Sequence, residues 1–231
     1  MKTHIRINEN NNSKYSNIIL DSYFHSNHLS QNLPDWLMTM ESMSGRKYKN
    51  FINRLISQVP DARYLEVGTW TGSTACSAMY RNNVKCFFVD NWDQFNPMGN
   101  VKNLFFEHTE KIKQESPNVS MNFLEDDFRK VPYHNIGKYN VYFFDGPHEE
   151  KDQYDGVVYA QPALEDEFIF ICDDWNWHQV RAGTAQAFAD LGIDILYSLE
   201  VRTTLDGSTP QVVYETSDWH NGYFVASCKK K

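Results

Sequence analysis

The stretch Arg63-Tyr-Leu-Glu-Val-Gly-Thr-Trp-Thr-Gly-Ser-Thr74 decides the fold. An apolar run ends at the acid Glu66, and Gly68 and Gly72 follow at close spacing. A helix-like segment leads to Tyr80, and a second apolar run, Val84 to Val89, stops on Asp90. The order strand, glycine turn, helix, strand, acid is half of a nucleotide-binding α/β unit. Without a Cβ, the two glycines let the backbone turn sharply and approach a ligand closely. Asp90, after the second strand, is placed to accept hydrogen bonds from ribose hydroxyls.

The details of the turn narrow the ligand. Dinucleotide sites use G-x-G-x-x-G, whose middle glycine admits a pyrophosphate. Here the pattern is Glu66-x-Gly68-x-x-x-Gly72, and no G-x-x-x-x-G-K-[ST] phosphate loop occurs in the chain. An adenosine-bearing ligand without phosphate fits better, although an ordinary α/β turn would show the same two glycines. With Asp90, the pattern resembles the first two motifs of class I S-adenosylmethionine-dependent methyltransferases. In that family the glycine turn lies under the methionine part of the cofactor and the acid after the second strand holds the ribose. The resemblance implies cofactor contacts from Glu66, Gly68, Thr69, Gly72, Ser73, Asp90, Asn91 and Asp127.

With 231 residues, 41% of them hydrophobic, the chain can build one α/β domain with a substantial core, or that domain plus a small cap. A net charge of -8 repels phosphate backbones, so nucleic acid is not an expected partner. No apolar run approaches the ~18 residues of a membrane span, and the asparagine-rich start, Met1 to Asn12, is not a secretory signal. Cys76, Cys86, Cys172 and Cys228 stand singly in apolar stretches, as buried thiols of a reducing cytoplasm would.

Residues 1 to about 14 read as a loose tail, and Tyr15 to Phe24 and Leu33 to Met40 as short helices. From Gly45 to Val59, Tyr48, Phe51, Ile52, Leu55, Ile56 and Val59 recur at three-and-four spacing, which predicts an amphipathic helix. Strands are expected at 63–68, 84–90, 119–125, 139–145 and 167–173, with helices at 73–81, 98–115, 151–164 and 178–191. The central runs, such as Tyr139 to Phe144, suit parallel strands covered on both faces. Ile193 to Thr203 and Gly222 to Cys228 follow without an intervening helix and read as an antiparallel pair. The expected class is α/β: a Rossmann-like, doubly wound, seven-stranded, mostly parallel sheet with an antiparallel C-terminal strand. Residues 1–60 would be the tail and an N-terminal helical cap, and residues 61–231 the Rossmann-like domain.

A second constellation lies at the strand ends. One expected strand runs into Asp145-Gly-Pro-His148 and the next into Asp173-Asp174-Trp175. In open α/β sheets ligands bind at the carboxyl ends of strands, so neighbouring strands would bring three carboxylates to one rim. Such carboxylates repel unless a cation joins them, and oxygen-only ligation suits a hard divalent ion, magnesium first. Asp173 or Asp174 could instead cap the following helix, and a histidine after a strand is often a surface residue. Asp-Gly-x-His followed by Asp-Asp is similar to the metal-dependent O-methyltransferases of the macrocin and mycinamicin type, whose general plan catechol O-methyltransferases share. The resemblance implies that Asp145, Asp173 and Asp174 hold magnesium and that His148 is the general base. The chemistry asks for such groups: a neutral alcohol is a poor nucleophile, and a cation and a base together make it a better one.

Weaker signals surround this frame. Within Glu125-Asp126-Asp127, Asp127 is the expected adenine contact, with an alignment open by one residue. Trp92 reads either as an adenine platform or as a core plug. Met43-Ser44-Gly45 would reach the cofactor if the cap folds over the turn. Trp175 to His178, Arg202 to Thr204 and Trp219 to Gly222 either line an acceptor pocket or form ordinary turns. The expectation is a cytoplasmic S-adenosylmethionine-dependent O-methyltransferase, magnesium-assisted, acting on a sugar or small hydroxylated molecule. A second copy of the chain could pack on the aromatic-rich cap. The alternatives are a non-catalytic cofactor- or carbohydrate-binding module and, against the missing middle glycine, a nicotinamide-dependent oxidoreductase.

Overall fold

A computed structural model describes residues 3–28, 33–97, 99–212 and 217–231. Eight strands form one sheet: β1 (His4–Glu9), β2 (Ala62–Val67), β3 (Val84–Val89), β4 (Val119–Leu124), β5 (Tyr139–Phe144), β6 (Leu164–Cys172), β7 (Asp194–Arg202) and β8 (Tyr223–Lys229). Their spatial order is β1-β7-β8-β6-β5-β2-β3-β4. The run from β6 to β4 is parallel, and β8, β7 and β1 add antiparallel pairings at the other edge. The helices are α1 (Ser16–Asn27), α2 (Asp35–Thr39), α3 (Arg46–Gln58), α4 (Ser73–Met79), α5 (Val101–Glu115), α6 (Glu150–Ala160) and α7 (His178–Leu191).

The sheet therefore has eight strands rather than the seven expected. The extra strand comes from the asparagine-rich N-terminus, which pairs antiparallel with β7 from His4↔Arg202 to Glu9↔Tyr197 instead of trailing loosely. Asn8 Nδ2 donates to Ser198 Oγ at 3.3 Å, and Asn10 Nδ2 to the Ile195 carbonyl at 3.1 Å, so the polar residues themselves fasten the strand. Met1, Lys2 and Met98, the last at the expected start of α5, lie outside the described residues.

Each sheet face carries its own core. On one, Tyr48, Phe51, Ile52 and Leu55 of α3 pack with Ile19 of α1 against Tyr64, Phe143, Ile171 and Val225. On the other, Val157, Val180 and Phe188 pack against Leu65, Tyr142, Phe144 and Phe170. Two-sided coverage explains why β5 is buried at every position and reads as an unbroken apolar run. The four cysteines are buried and unbridged. Among the described residues no helix is long and apolar enough to cross a membrane.

The order reverses between β2 and β5. The first crossover from β2 goes to β3 on one side, whereas β5 pairs on the other. A crevice opens at the carboxyl ends of the strands at such a switch point.

Candidate functional site

The turn after β2 is built from its backbone outward. Gly68 has φ +85° and Gly72 φ +88°, conformations that L side chains resist. Gly68 N donates to the Val89 carbonyl at 2.9 Å, and Gly72 N to the Thr69 carbonyl at 2.7 Å. Asp90 braces the loop: its Oδ2 accepts from Thr69 N at 2.7 Å and Trp70 N at 2.8 Å, and its Oδ1 from Trp92 N at 2.8 Å. From the N-terminal side, Thr71 Oγ1 donates to the Glu41 carbonyl at 2.8 Å, and Ser73 Oγ to Ser44 Oγ at 3.0 Å. The 41–45 segment thus lies against the turn.

A cavity of about 190 Å³ opens beside it, and its wall includes Met43, Gly68, Trp70, Asp90, Asn91 and Trp92. Asp126, Asp127, Asp145 and His148 complete it from the ends of β4 and β5. The wall mixes apolar rings with carboxylates, which suits a flat, polar-edged ligand such as a nucleoside. Of the sequence-derived candidates, Gly68, Asp90, Asn91, Asp127, Asp145 and His148 line it together with Met43 and Trp92, whereas Asp173 and Asp174 do not. Thr69, Gly72 and Ser73 stand behind the wall and shape the turn. Asp126 lines the cavity beside Asp127, so both registers of that acid reach it. Trp92 is packed as a core residue, stacked on Phe123 at 5.2 Å, and it also borders the cavity.

Glu66 lies elsewhere. It is 0% exposed beneath the turn, and its Oε1 accepts from Thr74 Oγ1 at 2.5 Å. Burial pushes its carboxyl up to about 8, partly offset by the Thr74 hydroxyl. It tethers β2 to α4 and does not border the cavity.

The acidic rim continues from Asp145 into the protein. Asp173 and Asp174 are 5% and 6% exposed. Burial first, then the charges of Asp173 and Asp174, raises Asp145 well above the usual carboxylate range; burial and the charge of Asp174 raise Asp173 likewise, partly offset by hydrogen bonds that include one with Asp145. Asp174 N donates to Asp173 Oδ1 at 2.6 Å, and Asn221 Nδ2 to Asp174 Oδ1 at 2.6 Å. His148 Nδ1 lies 3.2 Å from Asp174 Oδ2, and its ring meets Trp177 edge-on at 5.2 Å. Neither aspartate caps the next helix, because the N-cap of α7 is Trp177. Asp174, at φ 56°, is held in a left-handed conformation, a strain that surrounding structure must enforce.

Sequence reasoning named His220 only within the Trp219 to Gly222 stretch, as acceptor-pocket lining or an ordinary turn, and not beside the acids. Donor atoms of Asp173, Asp174 and His220 lie within 4.8 Å of one another. Burial pushes the imidazole below its ordinary value, against the opposing pull of Asp174. The residue sits in the β7–β8 loop, far along the chain from the acids, and its signal was only that loop's place at the same sheet edge. Of the aromatic residues after the acidic pair, Trp175 is a core plug, stacked on Phe224 at 4.3 Å and donating to Glu200 at 3.0 Å.

Comparison with known proteins agrees with this geometry. Residues 65–175 match a family model described as a methyltransferase domain. A sequence search of curated proteins found no match. Among solved structures, the chain is similar to the SAH-bound methyltransferase PaMTH1 of Podospora anserina, with 13% identity and TM-score 0.53, over 97% of this chain and 91% of that one. It is similar to the O-methyltransferase of Bacillus cereus in complex with SAH, with 10% identity and TM-score 0.52, over 94% and 92%. It is also similar to TrmN of Thermus thermophilus, with 16% identity and TM-score 0.50, over 79% of this chain but only 48% of that one, about half its length. The chain therefore has the Rossmann-like fold of S-adenosylmethionine-dependent methyltransferases, and its glycine turn, Asp90 and acidic rim all lie within the stretch that matches the methyltransferase family.

Proposed function

We propose that the protein is an S-adenosylmethionine-dependent methyltransferase that methylates a hydroxyl group of a sugar or small molecule with the help of a divalent cation. The observation that carries this reading is the single crevice shared by the glycine turn, Asp90 and the carboxylate Asp145. A nucleoside cofactor and an acidic rim meet there at the switch point of the sheet. The adenosine would lie between Trp92, Asp90 and Asp127, with its methionine end toward Gly68 and Met43. Bound there, S-adenosylmethionine supplies an electrophilic methyl group.

The rim fits a divalent ion. Burial and neighbouring carboxylates raise Asp145 and Asp173 well above the usual carboxylate range, a penalty on their charged forms that a cation relieves. The fully buried Tyr48 hydroxyl has no hydrogen-bond partner, and Asp173 and Asp145 are its foremost charged neighbours. Asp145, Asp173 and Asp174 would hold the ion, with magnesium the expected one, and it would supply a Lewis acid for the acceptor oxygen. His148 is 43% exposed on its side chain and anchored by Asp174 at Nδ1, which leaves Nε2 to take the acceptor's proton. The Trp177 ring fixes the imidazole plane. Asp174 stabilises the imidazolium that forms.

Calorimetric titration with S-adenosylhomocysteine tests the reading. Saturable binding, weakened by Asp90→Ala and little changed by Asp145→Asn, is the expected result. A flat isotherm from folded protein would count against it.

A further inference from the structure

We propose that His220 is a further ligand of the divalent ion at Asp173 and Asp174, and that its nitrogen shifts the site from magnesium toward first-row transition-metal ions such as cobalt, nickel or zinc. The inference rests on the metal reading above and adds both a ligand and an ion class to it. Its basis is the set of donor atoms of Asp173, Asp174 and His220, which converge within 4.8 Å of one another. Two carboxylates and an imidazole form a mixed oxygen and nitrogen set. Oxygen-only sites suit magnesium and calcium, whereas imidazole favours later divalent metals.

The loop that carries His220 is braced onto the segment that carries the two aspartates. Trp175 N donates to the Gly222 carbonyl at 3.2 Å and Asn176 N to the Asn221 carbonyl at 3.1 Å. His220 N donates to Ser217 Oγ at 3.1 Å, and its carbonyl accepts from Thr203 Oγ1 at 2.9 Å. Asn221, the next residue, fixes Asp174 through Oδ1. Ligands from two distant segments are thereby held before any ion arrives, as a preformed site requires. The fully buried Tyr48 hydroxyl has no hydrogen-bond partner, and Asp173 is its foremost charged neighbour, so a polar group remains unsatisfied at the acidic pair.

The test compares wild-type protein with His220→Asn, since asparagine tolerates the left-handed φ of 44° at this position. Calorimetry with Co2+ and with Mg2+ is run on both, after thermal melts confirm folding. His220→Asn should weaken Co2+ binding by about tenfold or more and Mg2+ binding much less. Pulsed EPR of Mn2+-loaded wild type should show coupling to a directly bound nitrogen, absent in His220→Asn and retained in His148→Asn. Unchanged Co2+ affinity in His220→Asn, or nitrogen coupling that persists there and vanishes in His148→Asn, would overturn the proposal. S-adenosylhomocysteine titration of the same samples keeps the outcomes apart. Cofactor binding with no role for His220 defeats this inference alone. Metal binding through His220 without cofactor binding defeats the methyltransferase reading alone.

Discussion

A Cβ placed on Gly68 would lie 1.9 Å from the backbone carbonyl oxygen of Asp145. The glycine turn and the acidic rim are thus in direct backbone contact, with no room for a side chain between them. Asp145 N in turn donates to the Val67 carbonyl at 2.8 Å. The glycine-turn end and the acidic end of the crevice are thus joined backbone to backbone.

Gly68→Ala should therefore damage both halves together. The left-handed φ and the collision with Asp145 predict a loss of at least about 2 kcal/mol of stability. Denaturant unfolding measures it, and S-adenosylhomocysteine binding should fail in the same variant. A variant of wild-type stability would show that the two loops can separate.

Asp90 accepts three backbone N–H groups from Thr69, Trp70 and Trp92. Asp90→Ala strands them and removes a carboxylate that lines the cavity. The expected cost is about 1–3 kcal/mol in stability, with cofactor affinity down by about tenfold or more. Calorimetry that shows unaltered affinity would remove Asp90 from the cofactor site.

Glu66 gives the protein a pH signature. Its folded value of about 8 lies above the ordinary 4.5, so the folded state retains the proton between those values. Stability should fall as pH rises through that window, and the loss is complete above about 8. Asp145 and Asp173 act in the same direction and remain in Glu66→Gln. The melting temperature of Glu66→Gln should therefore drop less between pH 5 and pH 9 than that of wild type, in metal-free buffer. Parallel curves would contradict a buried, proton-holding Glu66.

Asp145→Asn should separate stability from function. Removing one of the crowded acids relieves repulsion, so the metal-free variant should melt at or above the wild-type temperature. Divalent-ion affinity and methyl transfer should both be lost. Retained turnover with a chelator present would refute metal assistance.

His148→Gln should keep cofactor and metal binding while lowering turnover by about 10²–10⁴-fold. The readout is S-adenosylhomocysteine release with an acceptor that supports wild-type turnover. Undiminished turnover would place the base elsewhere.

Much of this architecture is legible in the chain. Strand β5 and the second half of β6 are dense apolar runs because they are covered on both faces, whereas β4 at the edge alternates, and acids fall where β3, β5 and β6 stop. That places Asp90, Asp145 and Asp173 at one sheet edge from spacing alone. Strand β1 is not legible, because Ile5 and Ile7 are a short alternation amid polar residues. Its partner, β7, lies nearly the whole chain away. Direction is equally hidden. Nothing in the motif tells that Glu66 points into the core or that Asp90 turns back onto its own loop. His220 joins the acids only through the fold of the β7–β8 loop.

The central claim is that the crevice holds the cofactor and that the acidic rim running inward from Asp145 holds the cation. A crystal structure with S-adenosylhomocysteine and Co2+, read by anomalous scattering, tests it most directly. The account predicts adenosine between Trp92 and Asp127, the thioether sulfur beside Gly68, and the metal peak at Asp173 on the same side of the sheet. An empty crevice, or a metal peak and a cofactor on different faces of the molecule, would contradict it.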